Sequence, residues 1–131
     1  MAGIGAGMVT QSLFIPGRLP GLNELMRSAR AGRMQSARER KAVLLRVTRA
    51  VQAAGLQRIG RAHVSFSWHE ANRRRDLDNI AAGGAKVVLD ALVAAKVLPD
   101  DGWDEVVGLA HHFLVSPDRP GVEVVLLGWA A

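Results

Sequence analysis

The sequence predicts a small α/β (α+β) domain, with two main helices packed on a mixed four-stranded sheet in the order β-α-β-α-β-β. Three observations carry that expectation. Residues Ala62–Trp68 alternate apolar and polar side chains, as a half-buried strand does. Two longer segments, after Ser36 and after Asp78, repeat apolar residues at three- and four-residue steps, the period of an amphipathic helix. Two further apolar runs near the end of the chain are separated by a turn holding Pro117 and Pro120. At 131 residues the chain fits a single domain, 1–131, with residues 1–11 expected to form a flexible lead.

Each element follows from local chemistry. Ser12–Pro16 is a short apolar run closed by Pro16-Gly17 and reads as a first strand. Leu19–Gly32, with Pro20, Gly21, Asn23 and several arginines, reads as a loop or irregular segment. Ser36-Ala37-Arg38-Glu39 fits a capping box, with Ser36 as N-cap. Val43, Leu44, Val47, Val51 and Ala54 then form one apolar stripe, and Gly55 stops the helix. In the next strand Val64, Phe66 and Trp68 face one way, while His63, Ser65 and Ser67 face the other. The second helix is expected to begin at Asp78 or Asn79 and to run to about Ala95, burying Ile80, Val87, Val88, Ala91, Leu92 and Ala95. Gly83-Gly84 in its first turns allows a kink or a close backbone approach. Leu98–Gly102 is a turn, and strands near Glu105–Val115 and Val122–Trp129 complete the sheet.

Composition narrows the function. With 49% hydrophobic residues the chain is not a disordered tail, and no apolar run is long enough to span a membrane. The glycine-rich opening Met1–Met8 lacks the basic region of a secretory signal. Absence of cysteine excludes disulfides and thiolate metal sites, so a cytoplasmic setting is expected. The net charge of +5 conceals a segregation along the chain. Residues 1–75 hold 14 Lys+Arg and 3 Asp+Glu, a balance of +11, whereas residues 76–131 hold 3 and 9, a balance of −6. Of the 14 basic groups in the first part, 13 are arginine, whose planar fork matches phosphate oxygens. A basic surface beside an acidic cluster suits a polyanion held by one region and cut, through bridging cations, at another; simple solvated charge fits the same numbers.

Arg73-Arg74-Arg75-Asp76-Leu77-Asp78-Asn79 is the most informative segment. If the chain is still extended there, Asp76 and Asp78 point to one side, Leu77 turns inward, and the two carboxylates converge on a hard divalent cation such as Mg²⁺. Asp78 as a helix cap and Asp76 paired with an arginine is the structural alternative. Asp100 and Asp101 lie beyond the second helix and reach the same site if the turn folds back. Carboxylate-bound Mg²⁺ would activate a water and stabilise charge at a scissile phosphate.

The blocks RRRDLDN (Arg73–Asn79), KVVLDAL (Lys86–Leu92) and LPDDGWDEV (Leu98–Val106), in that order, resemble the RusA family of Holliday-junction resolvases. Ile15-Pro16, Leu19–Asn23 and the closing PGVEVVL (Pro120–Leu126) extend the likeness to most of the chain, from about Leu13 to Leu127. The resemblance implies a Mg²⁺-dependent endodeoxyribonuclease, with Mn²⁺ as a possible substitute, that cuts four-way junctions in DNA recombination and repair. It also implies a homodimer with two active sites, in a bacterial, prophage or phage setting. Carried over, the family's essential acids fall on Asp76, Asp78 and Asp101, as metal ligands and catalytic groups, and its lysine on Lys86. Asp100 stands one residue from Asp101 and satisfies the same role. Lys86 follows Asp78 by eight residues rather than the four of the best-known members, a position held here by Ala82. The expected DNA-contacting set is Arg73, Arg74, Arg75, His69, Asn23, Arg18 and Arg27.

Other readings stay open beside this one. They are a phage-type structure-specific nuclease without strict junction selectivity and a catalytically degenerate DNA-binding module. A phosphatase with Asp76 as nucleophile requires a larger scaffold. His111-His112 looks like a metal pair, but adjacent strand residues face opposite ways, so one is expected in the sheet packing and one exposed. Trp103, in the turn beside Asp101, is placed to shape the site, while Asp90 and Asp104 read as structural.

Overall fold

A computed structural model describes residues 7–130. Strand β1 (Met8–Pro16) is followed by helices α1 (Leu22–Ala31) and α2 (Arg33–Ala53). Strand β2 (Ile59–Glu70), helix α3 (Leu77–Ala94) and strands β3 (Val106–Val115) and β4 (Gly121–Ala130) complete the chain. The architecture is the expected small α+β domain with one helix more. Its sheet runs β1-β4-β2-β3: β4 pairs antiparallel with β1 and β2, and β2 pairs parallel with β3 through the α3 crossover. β3 and β4 are therefore consecutive but not neighbours. Their connection steps over the end of β2, where the Ser116 amide donates to the Glu70 carbonyl at 2.7 Å.

The alternation read in the sequence decides which face is covered. Val64, Phe66 and Trp68 of β2, Leu13 and Ile15 of β1, and Val122, Val124 and Leu126 of β4 are buried. Against them pack Val47 and Val51 of α2 and Ile80, Val88, Ala91 and Leu92 of α3. On the opposite face Ser65, Ser67, Val125 and Leu127 are half-buried. Gly83 and Gly84 serve as close-approach positions. A Cβ at Gly83 would lie 2.5 Å from the Gly21 carbonyl carbon, and one at Gly84 would lie 2.5 Å from the Trp68 indole. Helix α3 thus sits directly on the Pro20–Leu22 backbone and on the β2 tryptophan.

Four expectations about local structure need correction. Leu19–Gly32 is not irregular throughout: Pro20 and Gly21 lead into α1, whose first turn is closed by the Gly21 amide donating to Glu24 Oε1 at 3.2 Å. Ser36 is not an N-cap. α2 begins three residues earlier behind Gly32, at φ +152°, and Ser36 is buried inside it, its hydroxyl without a partner among the described residues. Glu39 instead accepts hydrogen bonds from Ser28 of α1 and from Gln35. β1 starts at Met8, so the expected flexible lead overlaps a strand; residues 1–6 lie outside the described residues. The second predicted helix begins at Leu77, behind Asp76, rather than behind Asp78 or Asn79.

The far end of α3 closes by a Schellman motif, with the Val97 amide on the Leu92 carbonyl (2.9 Å) and the Lys96 amide on the Val93 carbonyl (3.0 Å). Buried Val97 covers Leu92, and the turn that follows delivers Asp100 and Asp101. Its left-handed position is Lys96, at φ +63°. A side chain there costs free energy that glycine avoids, so Lys96→Gly is expected to raise stability by about 0.5–1 kcal/mol. The measurement is a higher urea midpoint at unchanged slope.

His111 and His112 divide as their strand period requires. His112 is exposed, whereas His111 stacks on Phe66 with ring centroids 4.9 Å apart. Trp68 Nε1 donates to His111 Nδ1 at 2.9 Å, which fixes that nitrogen as an unprotonated acceptor. Burial first, and the neighbouring His112 second, lower the His111 pKa from the ordinary 6.5. The unfolded chain therefore binds a proton at higher pH than the fold does. The stability this contributes is complete above pH 6.5 and is lost as pH falls towards the lowered folded value. In His111→Phe this part of the pH dependence should disappear from urea titrations run on either side of pH 6.5.

Candidate functional site

The loop Ala71–Arg75 and the first turn of α3 bring the sequence's most charged segment to one end of the sheet, just past β2. Arg75 is the anchor of this loop. Its Nε and Nη2 donate to the two carboxylate oxygens of Glu70 at 2.9 and 2.8 Å, and its Nη1 donates to the Leu19 carbonyl at 2.8 Å. Glu24 Oε1 lies a further 3.5 Å away. The Arg75 side chain is 13% exposed. Arg18 is likewise engaged, Nη1 donating to Glu24 Oε2 at 3.0 Å, and this bond leads the causes that hold the Glu24 carboxyl below its ordinary range. Of the arginines expected to contact DNA, these two are joined to acids of their own chain.

Arg73 and Arg74 differ. Both are exposed, and neither guanidinium has an ion-pair partner among the described residues. Arg27 is exposed on α1. Asn23 lies in the first turn of α1, where its amide donates to Asn79 Oδ1 at 2.8 Å, tying the start of α1 to that of α3. His69 is half-buried: Nδ1 is 2.8 Å from Ser116 Oγ, and the ring meets Phe14 edge-on.

Asp76 is the N-cap residue of α3, in extended conformation (φ −68°, ψ 149°), and its side chain makes no capping hydrogen bond. Asp78 is in the helix, its Oδ1 accepting from the Asn79 amide at 2.9 Å. Neither forms a salt bridge among the described residues. The structural alternative, a cap at Asp78 and an arginine partner for Asp76, is therefore not what the chain adopts. Nor is the extended geometry expected for this pair. The helix begins at Leu77, so the two-residue period ends there, and Leu77 is 56% exposed rather than turned inward. Ile80 takes the inward position.

Asp101 and Lys86 meet elsewhere on the same helix. Lys86 Nζ lies 3.0 Å from Asp90 Oδ1, one turn on, and 3.2 Å from Asp101 Oδ2. Hydrogen bonds to Asp90 first and Asp101 second raise the ammonium above the ordinary lysine range. Eight residues of helix separate Asp78 from Lys86, about 12 Å along the axis, with exposed Ala82 between. The turn does fold back on α3, but it reaches the helix near Lys86. Asp100 is exposed, its Oδ1 accepting from the Asp101 amide at 2.8 Å. Trp103 is almost fully exposed.

Among the described residues, no three His, Asp or Glu side chains are grouped to hold a metal ion. Mg²⁺ does not demand such a cage, because it keeps several waters and is commonly held by one or two carboxylates and a substrate phosphate. Asp76 and Asp78, hard oxygen donors at one helix end, fit that smaller donor set; Asp101, paired with Lys86, stands apart from it. Glu70 and Glu24 were not singled out in the sequence, although they set the arginine arrangement. Glu70 ends a strand next to a run of three arginines, which was a usable signal; Glu24 is 51 residues from Arg75 and carried none.

No protein-family model matches the chain, and no curated protein matches it. Among the described residues, no helix is long and apolar enough to cross a membrane.

The three consecutive arginines should separate by experiment. Arg75→Ala removes a largely buried, bidentate partner and is expected to cost about 2–3 kcal/mol. Arg73→Ala and Arg74→Ala should each change stability by less than about 0.5 kcal/mol. Urea unfolding of the three variants checks both statements.

Proposed function

We propose that the chain is a Mg²⁺-dependent endodeoxyribonuclease that resolves four-way DNA junctions as a homodimer. The observation that carries this reading is the two carboxylates Asp76 and Asp78 close beyond two arginines, Arg73 and Arg74, none of the four with an ion-pair partner among the described residues. Cation ligands next to phosphate-binding groups are what hydrolysis of a phosphodiester requires. The order of the RRRDLDN, KVVLDAL and LPDDGWDEV blocks, with its resemblance to the RusA family, supports the junction as substrate and the dimer as the working unit.

In this reading Asp76 and Asp78 would hold the ion, and Asp101 would join the acidic set only on leaving Lys86. The bound Mg²⁺, or Mn²⁺ in its place, supplies an activated water and charge stabilisation at the phosphate. Arg73 and Arg74 grip the strand by its phosphates, with Arg27 as a further cationic contact. Glu70 and Arg75 hold the loop that presents them. Lys86 orients Asp101 and carries positive charge towards the phosphate.

A second reading, a DNA-binding module without catalysis, is favoured by the engagement of Asp101 with Lys86. One comparison separates the two. Asp76→Asn should reduce cleavage of a synthetic four-way junction in Mg²⁺ to background while leaving binding in EDTA largely intact. Wild-type protein that binds but cuts no junction, flap or duplex in Mg²⁺ or Mn²⁺ selects the module. Equal cutting of all branched substrates selects a nuclease without junction preference. Undiminished cutting by the variant removes Asp76 from the mechanism.

A further inference from the structure

The loop Ala71–Arg75 forms a ridge between two clefts, and the Glu70–Arg75 ion pair with Asn72 contributes to the walls of both. On one side a cleft of about 470 Å³ is lined by Arg18, His69 and Arg74 together with Gly17, Ala71 and Pro120. On the other side lies a wider cleft of about 670 Å³. Arg73 and Asp76 stand at it with the Glu70–Arg75 pair and Asn72, and the other half of its wall is apolar: Leu77, Ile80, Phe113, Leu114 and Val115. Leu77 and Val115 are 56% and 47% exposed, so this apolar surface faces water directly beside the carboxylate.

A phosphodiester backbone gives no reason for such a wall. Phosphates and sugars are bound by charge and hydrogen bonds, whereas exposed apolar surface next to a polar site marks a contact with an apolar partner. The flat, apolar part of a DNA strand is the base. In a duplex its faces are covered by stacking, and it can enter a cleft only when unstacked, as at a branch point or in a single strand. We propose that the Leu77–Phe113–Val115 cleft receives one unstacked nucleobase of the strand whose phosphates Arg73 and Arg74 hold. The proposal rests on the nuclease reading and deepens it, since it makes an unpaired nucleotide beside Asp76 part of what the site recognises.

Charge decides between a base and a second copy of the chain as occupant. The apolar wall is rimmed by Arg73, with Arg74 across the ridge, and neither has an acidic partner among the described residues. A nucleotide brings its own phosphate to those cations. Two copies meeting here about a twofold axis offer Arg73 a counter-charge only by engaging acids of this wall such as Asp76, the carboxylate that the nuclease reading needs free.

The test uses four-way junctions carrying 2-aminopurine singly at each branch-point position, bound in EDTA so that nothing is cut. Wild-type protein should raise the fluorescence at one position or more as the base leaves the stack. Leu77→Ser/Val115→Ser should lose most of that rise at protein concentrations that saturate binding. Both side chains are exposed, and Val115→Ser alone, outside the Asp76–Asp78 segment, should show part of the loss with an unaltered urea midpoint. No rise at any position, or the same rise with the double variant, overturns the proposal. So does a fall in molar mass of the double variant by light scattering, which assigns the face to a second copy. Cleavage of the unlabelled junction by wild type is measured in parallel. Cutting without unstacking overturns the base cleft alone, whereas no cutting in Mg²⁺ or Mn²⁺ overturns the nuclease reading beneath it.

Discussion

Arg75 joins three parts of the chain that are distant in sequence. Its guanidinium meets the end of β2 through Glu70, the β1–α1 connection through the Leu19 carbonyl, and α1 through Glu24. Only a planar fork offers donors in these directions at once; a lysine would satisfy one of them. Because Arg75 immediately precedes Asp76, the same contacts fix where α3 starts. The helix is then seated by Gly83 against the Pro20–Leu22 backbone and by Gly84 against Trp68. Asp76 and Asp78 project from a helix end whose position is determined on two sides, which is the kind of support a first-turn carboxylate pair needs to hold a fixed geometry.

That arrangement also changes the meaning of the basic charge. Thirteen arginines before residue 76 read as a polyanion footprint, yet several are committed within the fold. Arg46 donates to the Pro16 and Arg18 carbonyls, Arg18 pairs with Glu24, and Arg61 lies over the Trp129 ring. What a strand of DNA would meet near the carboxylates is a smaller set, Arg73 and Arg74, exposed on the ridge. Net charge counts these groups equally; side-chain geometry does not.

What the sequence made legible was what depends on short-range period. The alternation of β2, the stripe of α3, the close approach at Gly83-Gly84 and the split between His111 and His112 follow from residues near one another in the chain. α1 escaped although Leu22, Leu25, Met26 and Ala29 recur at helical steps, because Pro20, Gly21 and Asn23 read as loop signals; no residue of it is buried, and its closing contacts come from Glu24 and from Asn79, 56 residues away from Asn23. The Ser36 capping box failed for a related reason: Gly32 separates the two helices upstream, so the same four residues fell inside a helix already begun. At the site, the identity of Asp76 and Asp78 could be read, but their relative direction could not. A start of α3 two or three residues earlier than expected replaces a strand's two-residue period by a helical turn, and Leu77 changes sides.

The position of Asp101 follows from the same helix. Eight residues of helix place Lys86 about two turns along α3 from Asp78, and the Schellman turn after Ala95 brings Asp101 to it. The acidic set is thereby divided between two levels of α3, with Lys86 bonded at the lower one. Lys86 is 65% exposed and shares its ammonium between Asp90 and Asp101, and an exposed pair of this kind is worth about 1 kcal/mol or less. Asp90 remains as a partner one helical turn away when Asp101 leaves, so the lysine is never stripped of its counter-charge. The Lys86–Asp90 pair therefore keeps the exchange of Asp101 between lysine and solvent low in cost, while the two carboxylates at the top of the helix stay where Arg75 and the two glycines put them.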